Sequence, residues 1–414
     1  MRIMVMTQNP RFNSGMGRVG REISKQLSKY HSVHVYGQTS SGGPPREFEG
    51  FTLHGNPVQD PTGMQMLPMK LQQIDPDLLI TNLNYQQLEG LPQPLNNIYM
   101  NSGKEIPVFL YTPIETARPI PGLYQRLISQ HLNDVFLIPF NEPNYEMFRE
   151  DDQLEPHIPD WVPHGISHSV FEPKAEEMTR QFWENSNIDP DSYKFLFVGE
   201  NWRRKKISKL CHAFSILKHE KGINDAKLVL HTSAGPSRGG SDSFFGGWDI
   251  ASGPQSQGPD PMLDVYDLSL GEDVHITKMH SAQFIPDEQL ATMYSGSEVH
   301  ILPSGGEGFG LTLLESMACG TPCIVTDLKE ARWLCQDSAL YVEPEGEELM
   351  RYGEVLKTPS AEDMAEKMLE MHEMSDSERE KMAEKGLERA EDFSWRRTGR
   401  EFVELIDKYR EGEL

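Results

Sequence analysis

Apolar and polar positions fall into blocks along the chain, and each block follows one of two periods. Residues 3–6 are a short apolar run, followed by the loop Asn13-Ser14-Gly15-Met16-Gly17. Val19, Ile23, Leu27 and Tyr30 then recur at helical spacing on one face. A second apolar run, residues 32–36, ends at Gly37. Strand, glycine loop, helix and strand make a βαβ unit. Further runs at 77–81, 107–111 and 135–139 alternate with helix-like stretches. This predicts a parallel sheet covered on both faces. Residues 160–166 carry Pro163 and Gly165, have no period, and read as the connection leaving a first domain. The pattern then restarts. Runs at 194–198, 226–231, 274–277, 299–302 and 321–326 predict strands, and 207–217 predicts an amphipathic helix. Residues 233–258 are a polar insertion rich in Gly and Ser. One long charged helical region is expected over 361–389 and a last helix near 395–409.

Two alternating halves predict an α/β chain with two Rossmann-like domains facing a cleft. The expected division is 1–165, 166–392, and a C-terminal helix at 393–414 packing back toward the first domain. The 414 residues suit two or three domains. Residues 1–8 carry one Arg and no small-residue cleavage site, so they read as a first buried strand, not a signal peptide. No apolar run approaches the roughly 20 residues that span a bilayer. The net charge of −24 excludes general nucleic-acid binding and favours solubility. Cys211, Cys319, Cys323 and Cys335 form no Cys-x-x-Cys pair, which suits buried thiols in a reduced cytoplasm.

The chemistry concentrates in Pro303-Ser304-Gly305-Gly306-Glu307-Gly308-Phe309-Gly310-Leu311-Thr312-Leu313-Leu314-Glu315. This segment leaves a strand, turns on glycines and enters a helix at about Leu311. Gly308 and Gly310 allow close backbone approach to a ligand. The first helical turn then offers free amides and a positive dipole end, which suit a diphosphate. Glu307 can accept from sugar hydroxyls. Glu315, one turn inside the helix on the Leu311 face, can accept from the two hydroxyls of a ribose. A plain turn with two solvated glutamates is the alternative, and the combined spacing disfavours it. A second signal is Arg203-Arg204-Lys205-Lys206, a cationic cluster after a strand in a very acidic chain. Such a cluster can hold a departing diphosphate.

The Glu307 and Glu315 pair, with seven residues between, resembles the glutamate pair of retaining glycosyltransferases of the glycosyltransferase-B fold. The Glu-Gly-Phe-Gly start and Ala318-Cys319-Gly320-Thr321-Pro322 exit resemble family 4 of the glycosyltransferase group 1 superfamily. The resemblance implies that Glu307 contacts the donor sugar and Glu315 the ribose. It implies that amides of Gly308, Phe309, Gly310, Leu311 and Thr312 hold sugar and phosphate oxygens. Lys205 matches the family's diphosphate lysine, because Leu210 and Ala213-Phe214 follow at the family spacing. Glu200 stands where the family's arginine usually follows the strand glycine, and Arg204 is the candidate to supply that charge. Gly15 and Gly17 correspond to the loop facing the donor phosphates from the other domain. The expected activity is transfer of a hexose-type sugar from a nucleotide-diphosphate sugar to an acceptor hydroxyl. The donor is a co-substrate, and neither cofactor nor metal is expected.

Several readings compete with parts of this one. Gly15, Gly17 and Gly20 also fit a dinucleotide-binding dehydrogenase, but no acidic residue ends the second strand at Tyr36-Gly37-Gln38. An epimerase or phosphorylase on the same fold, or a non-catalytic sugar-nucleotide-binding protein, stay open. Glu115, after Tyr111-Thr112-Pro113-Ile114, stands near where many family members carry a histidine. It is the acceptor-side candidate, with a structural role equally open. Arg18, Arg21, Lys25 and Lys29 share a helical face, suiting an acidic lipid surface, an anionic acceptor, or plain solvation equally well. The acceptor is expected to be a sugar or lipid-linked, and the location cytoplasmic, extending to the inner membrane face. Asp75/Asp77 and Asp189/Asp191 read as turns, and His164 of the interdomain segment as structural. Trp248-Asp249-Ile250 resembles some family members and receives no chemistry.

Overall fold

The computed structural model describes residues 1–12, 14–38, 43–56, 60, 62–116, 121–129, 134–232, 258–278, 285–350 and 353–414. Most of the long polar insertion, with Trp248-Asp249-Ile250, lies outside them.

The first half builds a seven-stranded sheet from β1 (Arg2–Gln8), β2 (Ser32–Gln38), β3 (Arg46–Phe48), β4 (Phe51–His54), β5 (Leu78–Asn82), β6 (Val108–Tyr111) and β7 (Val135–Ile138). Its order is β3-β4-β2-β1-β5-β6-β7, parallel except for the β3–β4 hairpin. Strand β1 is buried on both faces, which gives its unbroken apolar run. Ile3 and Val5 pack with Val19 and Ile23 of the Gly15–Leu27 helix. Met4 and Met6 point the other way, toward Leu79, Leu110 and Leu137.

The second half builds a six-stranded parallel sheet from β8 (Tyr193–Val198), β9 (Ala226–Thr232), β10 (Val274–Lys278), β11 (Val299–Leu302), β12 (Cys323–Thr326) and β13 (Ala339–Val342), ordered β10-β9-β8-β11-β12-β13. The chain runs outward from β8 in one direction, then returns to β11 on its other side. In open parallel sheets ligands bind at that reversal, beyond the carboxyl ends of the strands. The loops leaving β8 and β11 are the two segments singled out by sequence.

Strand β13 was not expected from the sequence, and three further regions depart from the expectation. Residues 46–54 form the β3–β4 hairpin, turning on Glu49 (φ 48) and Gly50 (φ 90), with Phe48 paired to Phe51. The single charged helix expected over 361–389 is two helices, Ala361–Glu373 and Asp376–Ala390. The break is a capping box, in which Ser375 and Glu378 satisfy each other's backbone amides and start a new helix. Strands β14 (Pro344–Leu349) and β15 (Val355–Pro359) form an antiparallel hairpin over residues given no element beforehand.

The interdomain segment meets the C-terminal end of the chain, where Ile166 bridges Ser394. The last helix, Trp395–Glu411, then packs on the first domain. Thr398 Oγ1 donates to Pro163 O at 2.9 Å, Phe402 meets the Tyr111 ring, and Tyr409 meets Phe109 and Phe136. His164 accepts or donates a 2.7 Å bond with the Tyr111 hydroxyl inside this aromatic cluster. Burial drives its imidazole down to about 3, so it stays neutral. The four cysteines are free and buried. Among the described residues, no helix is long and apolar enough to cross a membrane.

Candidate active site

The segment after β11 enters the Leu311–Ala318 helix through Gly310, whose φ of 92 is the left-handed region open to glycine. The first amides of that helix have no partner within it and face the cleft end of the sheet. Gly15 of the opposite domain lies against this turn: a Cβ on Gly15 would stand 3.8 Å from Leu311 Cδ1. Gly308 is needed for close approach, since a Cβ there would meet Pro113 Cβ at 2.8 Å. Asn141 Nδ2, also from the first domain, donates to Gly308 O at 2.8 Å. Gly17 serves its own loop, where a Cβ would strike Phe12 O at 2.6 Å, while its amide donates to the capping Ser14 Oγ at 3.2 Å.

Glu307 is buried, and both expected cations reach it. Arg204 Nη1 and Lys205 Nζ each donate to Glu307 Oε1 at 2.6 Å. The short Arg203–Lys205 turn after β8 aims both side chains inward, and Lys206 closes it in a left-handed conformation (φ 50). Arg204 also donates to Gly306 O at 3.2 Å, so it is as central as Lys205. Burial alone raises the Glu307 carboxyl, but Arg204 and Lys205 overcome it and draw it down to about 2. Burial lowers the Lys205 ammonium more than Glu307 restores it. Glu115 closes the chain of charges from the other domain, with Oε1 at 2.6 Å from Arg204 Nη2. The structure thus brings Glu115, Arg204, Lys205 and Glu307 into one network across the cleft.

Glu315 is also buried, and each of its oxygens accepts one bond from a protein group. Arg18 Nη1 donates to Oε1, and the Tyr294 hydroxyl donates to Oε2 at 3.0 Å. Arg18 Nη2 reaches Asp287 Oδ1 at 2.7 Å. Burial raises the Glu315 carboxyl, and Arg18 offsets this only in part. The expected four-cation face needs correction here, and Glu315 is more enclosed than expected. Glu315, expected from the resemblance to accept from a ribose, is one member of a buried interdomain cluster. The four-cation helical face is divided, because Arg18 sits at the helix start, beside the cleft, and turns inward. Lys25 stays outside, paired with Glu22 and Glu49 at 3.4 and 3.1 Å. The Phe309 ring packs with His164, Trp333 and Phe393, so only its backbone is left for a ligand.

Sequence reasoning missed three contributors. Asp287 and Tyr294 lie two turns apart on one face of the Asp287–Ser295 helix, a spacing that carries no motif. The β14–β15 hairpin covers the basic loop. Lys357 N donates to Gly305 O at 2.8 Å, Lys206 pairs with Glu348 at 2.6 Å, and Val355 N donates to Thr116 Oγ1 at 3.0 Å. Its signals were the β-branched Val355 and Thr358 and the turn glycine Gly353. The Asp-x-Asp runs are turn and cap positions: Asp75 caps a helix at φ 50, and Asp189 accepts from Asp191 N at 3.0 Å.

Comparison with known proteins bears on this geometry. Residues 266–389, which include the Glu307–Glu315 segment, match the family described as glycosyl transferases group 1. A D-inositol 3-phosphate glycosyltransferase of Paenarthrobacter aurescens is 24% identical over 252 residues, 61% of this chain and 51% of that protein. The chain thus spans about half the length of the curated relative it matches. Among solved structures, sucrose-phosphate synthase from Thermosynechococcus elongatus superposes with a TM-score of 0.72 at 18% identity, covering 100% of both chains. The trehalose-6-phosphate protein of E. coli bound with UDP-2-fluoro glucose gives 0.68 at 13% identity, covering 98% of both. These two establish the two-domain fold.

Proposed function

The chain belongs to the glycosyl transferases group 1 superfamily, and from that premise we propose that it transfers a hexose-type sugar from a nucleotide-diphosphate sugar to an acceptor hydroxyl, with retention at the anomeric carbon. The observation carrying this reading is the convergence of Arg204 and Lys205 on Glu307, 2.6 Å from each, beside the start of the Leu311–Ala318 helix. Two fixed cations and a helix amino end make a site for a diphosphate whose negative charge grows as the sugar departs. Glu307, ionised throughout the physiological range, accepts from the sugar hydroxyls and fixes the ring. The bond from the anomeric carbon to the phosphate oxygen breaks, and its electron pair stays on the diphosphate. The acceptor hydroxyl attacks the same face in an oxocarbenium-like transition state. Its proton passes to the leaving phosphate oxygen, so no separate protein base is required.

In this reading Arg204 and Lys205 supply the positive charge that a divalent ion would otherwise provide, so turnover is independent of metal. Glu115, on the first-domain side of Arg204, is the acceptor-side group. A thermal-shift screen of the purified chain against UDP-glucose, GDP-mannose and ADP-glucose tests the donor class, since a specific ligand stabilises the native state by mass action. One donor is expected to raise Tm and to release its nucleoside diphosphate only with an acceptor, in the presence of EDTA. Phosphate-dependent turnover, or turnover without an acceptor, would instead favour the phosphorylase or epimerase reading. Donor binding with no turnover would favour a binding protein.

A further inference from the structure

We propose that Arg18 is a positioning residue for the ribose of the donor: reaching from the first domain, it orients Glu315 of the second, so that the nucleoside end is gripped only when the domains are closed. This rests on the donor reading above and adds a residue that acts through Glu315, not on the reacting atoms.

The geometry carries the argument. Arg18 retains 8% exposure and Glu315 3%, so their contact is made in a desolvated setting where charge-assisted bonds are strong. A carboxylate offers about two acceptor positions on each oxygen. Arg18 uses one on Oε1 and Tyr294 one on Oε2, leaving one on each oxygen. That remainder matches the two neighbouring hydroxyls of a ribose. Asp287 holds the second arm of the guanidinium at 2.7 Å, and its face lies 5.5 Å from the Phe171 ring centre, so the fork cannot swing freely. Helix placement completes the device. Ser14 caps the helix bearing Arg18 immediately after β1, so the side chain leaves from the cleft end of the first sheet. Within the second domain, Asp287, Tyr294 and Glu315 bring no cation of their own to this cluster. Separating the domains would therefore withdraw the one positive partner that the described residues give this buried carboxylate, which would then favour its neutral form.

The test is calorimetric titration of UDP, GDP and ADP, alongside their 2′,3′-dideoxy counterparts, into the full chain and its variants. In Arg18→Met, binding of the diphosphate that the wild type prefers is expected to weaken about tenfold or more. The dideoxy counterpart should bind wild type and variant alike, because it lacks the hydroxyls that Glu315 would receive. Arg18→Lys should restore part of the loss, keeping the charge without the fork. Equal losses for both ligands would mean a merely structural residue. Tighter binding by Arg18→Met would mean that Arg18 competes with the ribose for Glu315. Either result overturns the proposal. If no diphosphate binds the wild type, the donor reading itself fails; wild-type binding with an unchanged Arg18→Met overturns only the role of Arg18. Should Arg18→Met not fold, Arg18→Lys and Asp287→Asn carry the same comparison.

Discussion

Glu307 and Glu315 lie on one segment and are equally hidden from water, yet they are held by different means. The cations on Glu307, Arg204 and Lys205, come from a neighbouring loop of the same sheet. The cation on Glu315, Arg18, comes from the other domain. The outcomes diverge accordingly: Glu307 is drawn down to about 2, whereas Glu315 stays above its ordinary value. Burial raises both. What separates them is the number of opposing charges and which domain supplies them. One carboxylate is prepared before the cleft closes, and the other is completed by closure.

The largest effect should come from breaking the prepared half. Lys205→Met or Glu307→Gln is expected to lower turnover about 100-fold or more with a cooperative thermal transition retained, because a fixed charge beside the departing diphosphate is lost. Near-normal steady-state rates in both would remove Glu307 from the chemistry. Changing pH sharpens the comparison next. The lowered Glu307 contributes stability present above the usual carboxylate range near 4.5 and lost as pH falls toward about 2. Glu315 has the opposite sign. Its raised value makes ionisation oppose folding, a cost that grows as pH rises above the ordinary carboxylate value and is complete once the raised value is passed. On acidification, donor affinity should therefore fall first, by about tenfold per unit below the Glu315 value, while Glu307 is still ionised. Arg18, Asp287 and Tyr294 are the groups facing Glu315. Titrations across pH should show this limb missing in Glu315→Gln. It should persist in Glu330→Gln, although burial and the nearby Glu307 hold Glu330 at about 7. The smallest effect belongs to Glu115→Gln. Arg204 keeps its bonds to Glu307 and Gly306, and the Glu115 carboxylate is partly exposed. A change in donor KM of about fivefold or less is expected, with acceptor KM moving more.

The two halves of the molecule were unequally legible in the sequence. Parallel strands buried on both faces leave continuous apolar runs, so β1, β8 and β11 were visible directly. Local chemistry was visible too, because Glu307, Gly310 and the Arg204-Lys205 pair sit in short loops tied to those strands. Partners chosen by tertiary packing were not. Nothing in the spacing from Arg18 to Glu315 could reveal a contact between residues 297 positions apart. The basic helical face was read from periodicity alone, and periodicity does not show that one end of a helix opens into a cleft. The β14–β15 hairpin was overlooked because its strands are short and rich in charge, with Glu345, Glu347, Glu348 and Lys357. Its stability comes from pairing and from lysines beneath it, not from an apolar stripe.

The meeting of Ile166 with Ser394 has a mechanical meaning. The polypeptide passes between the two sheets twice, outward at the interdomain segment and back into the closing helix, and the two passages lie side by side. A single tether would let the halves twist and translate. Two tethers bridged together act as one stiff pivot that permits bending and resists torsion. A protease that severed the interdomain segment would leave the first domain held only by noncovalent contacts such as its packing against the last helix.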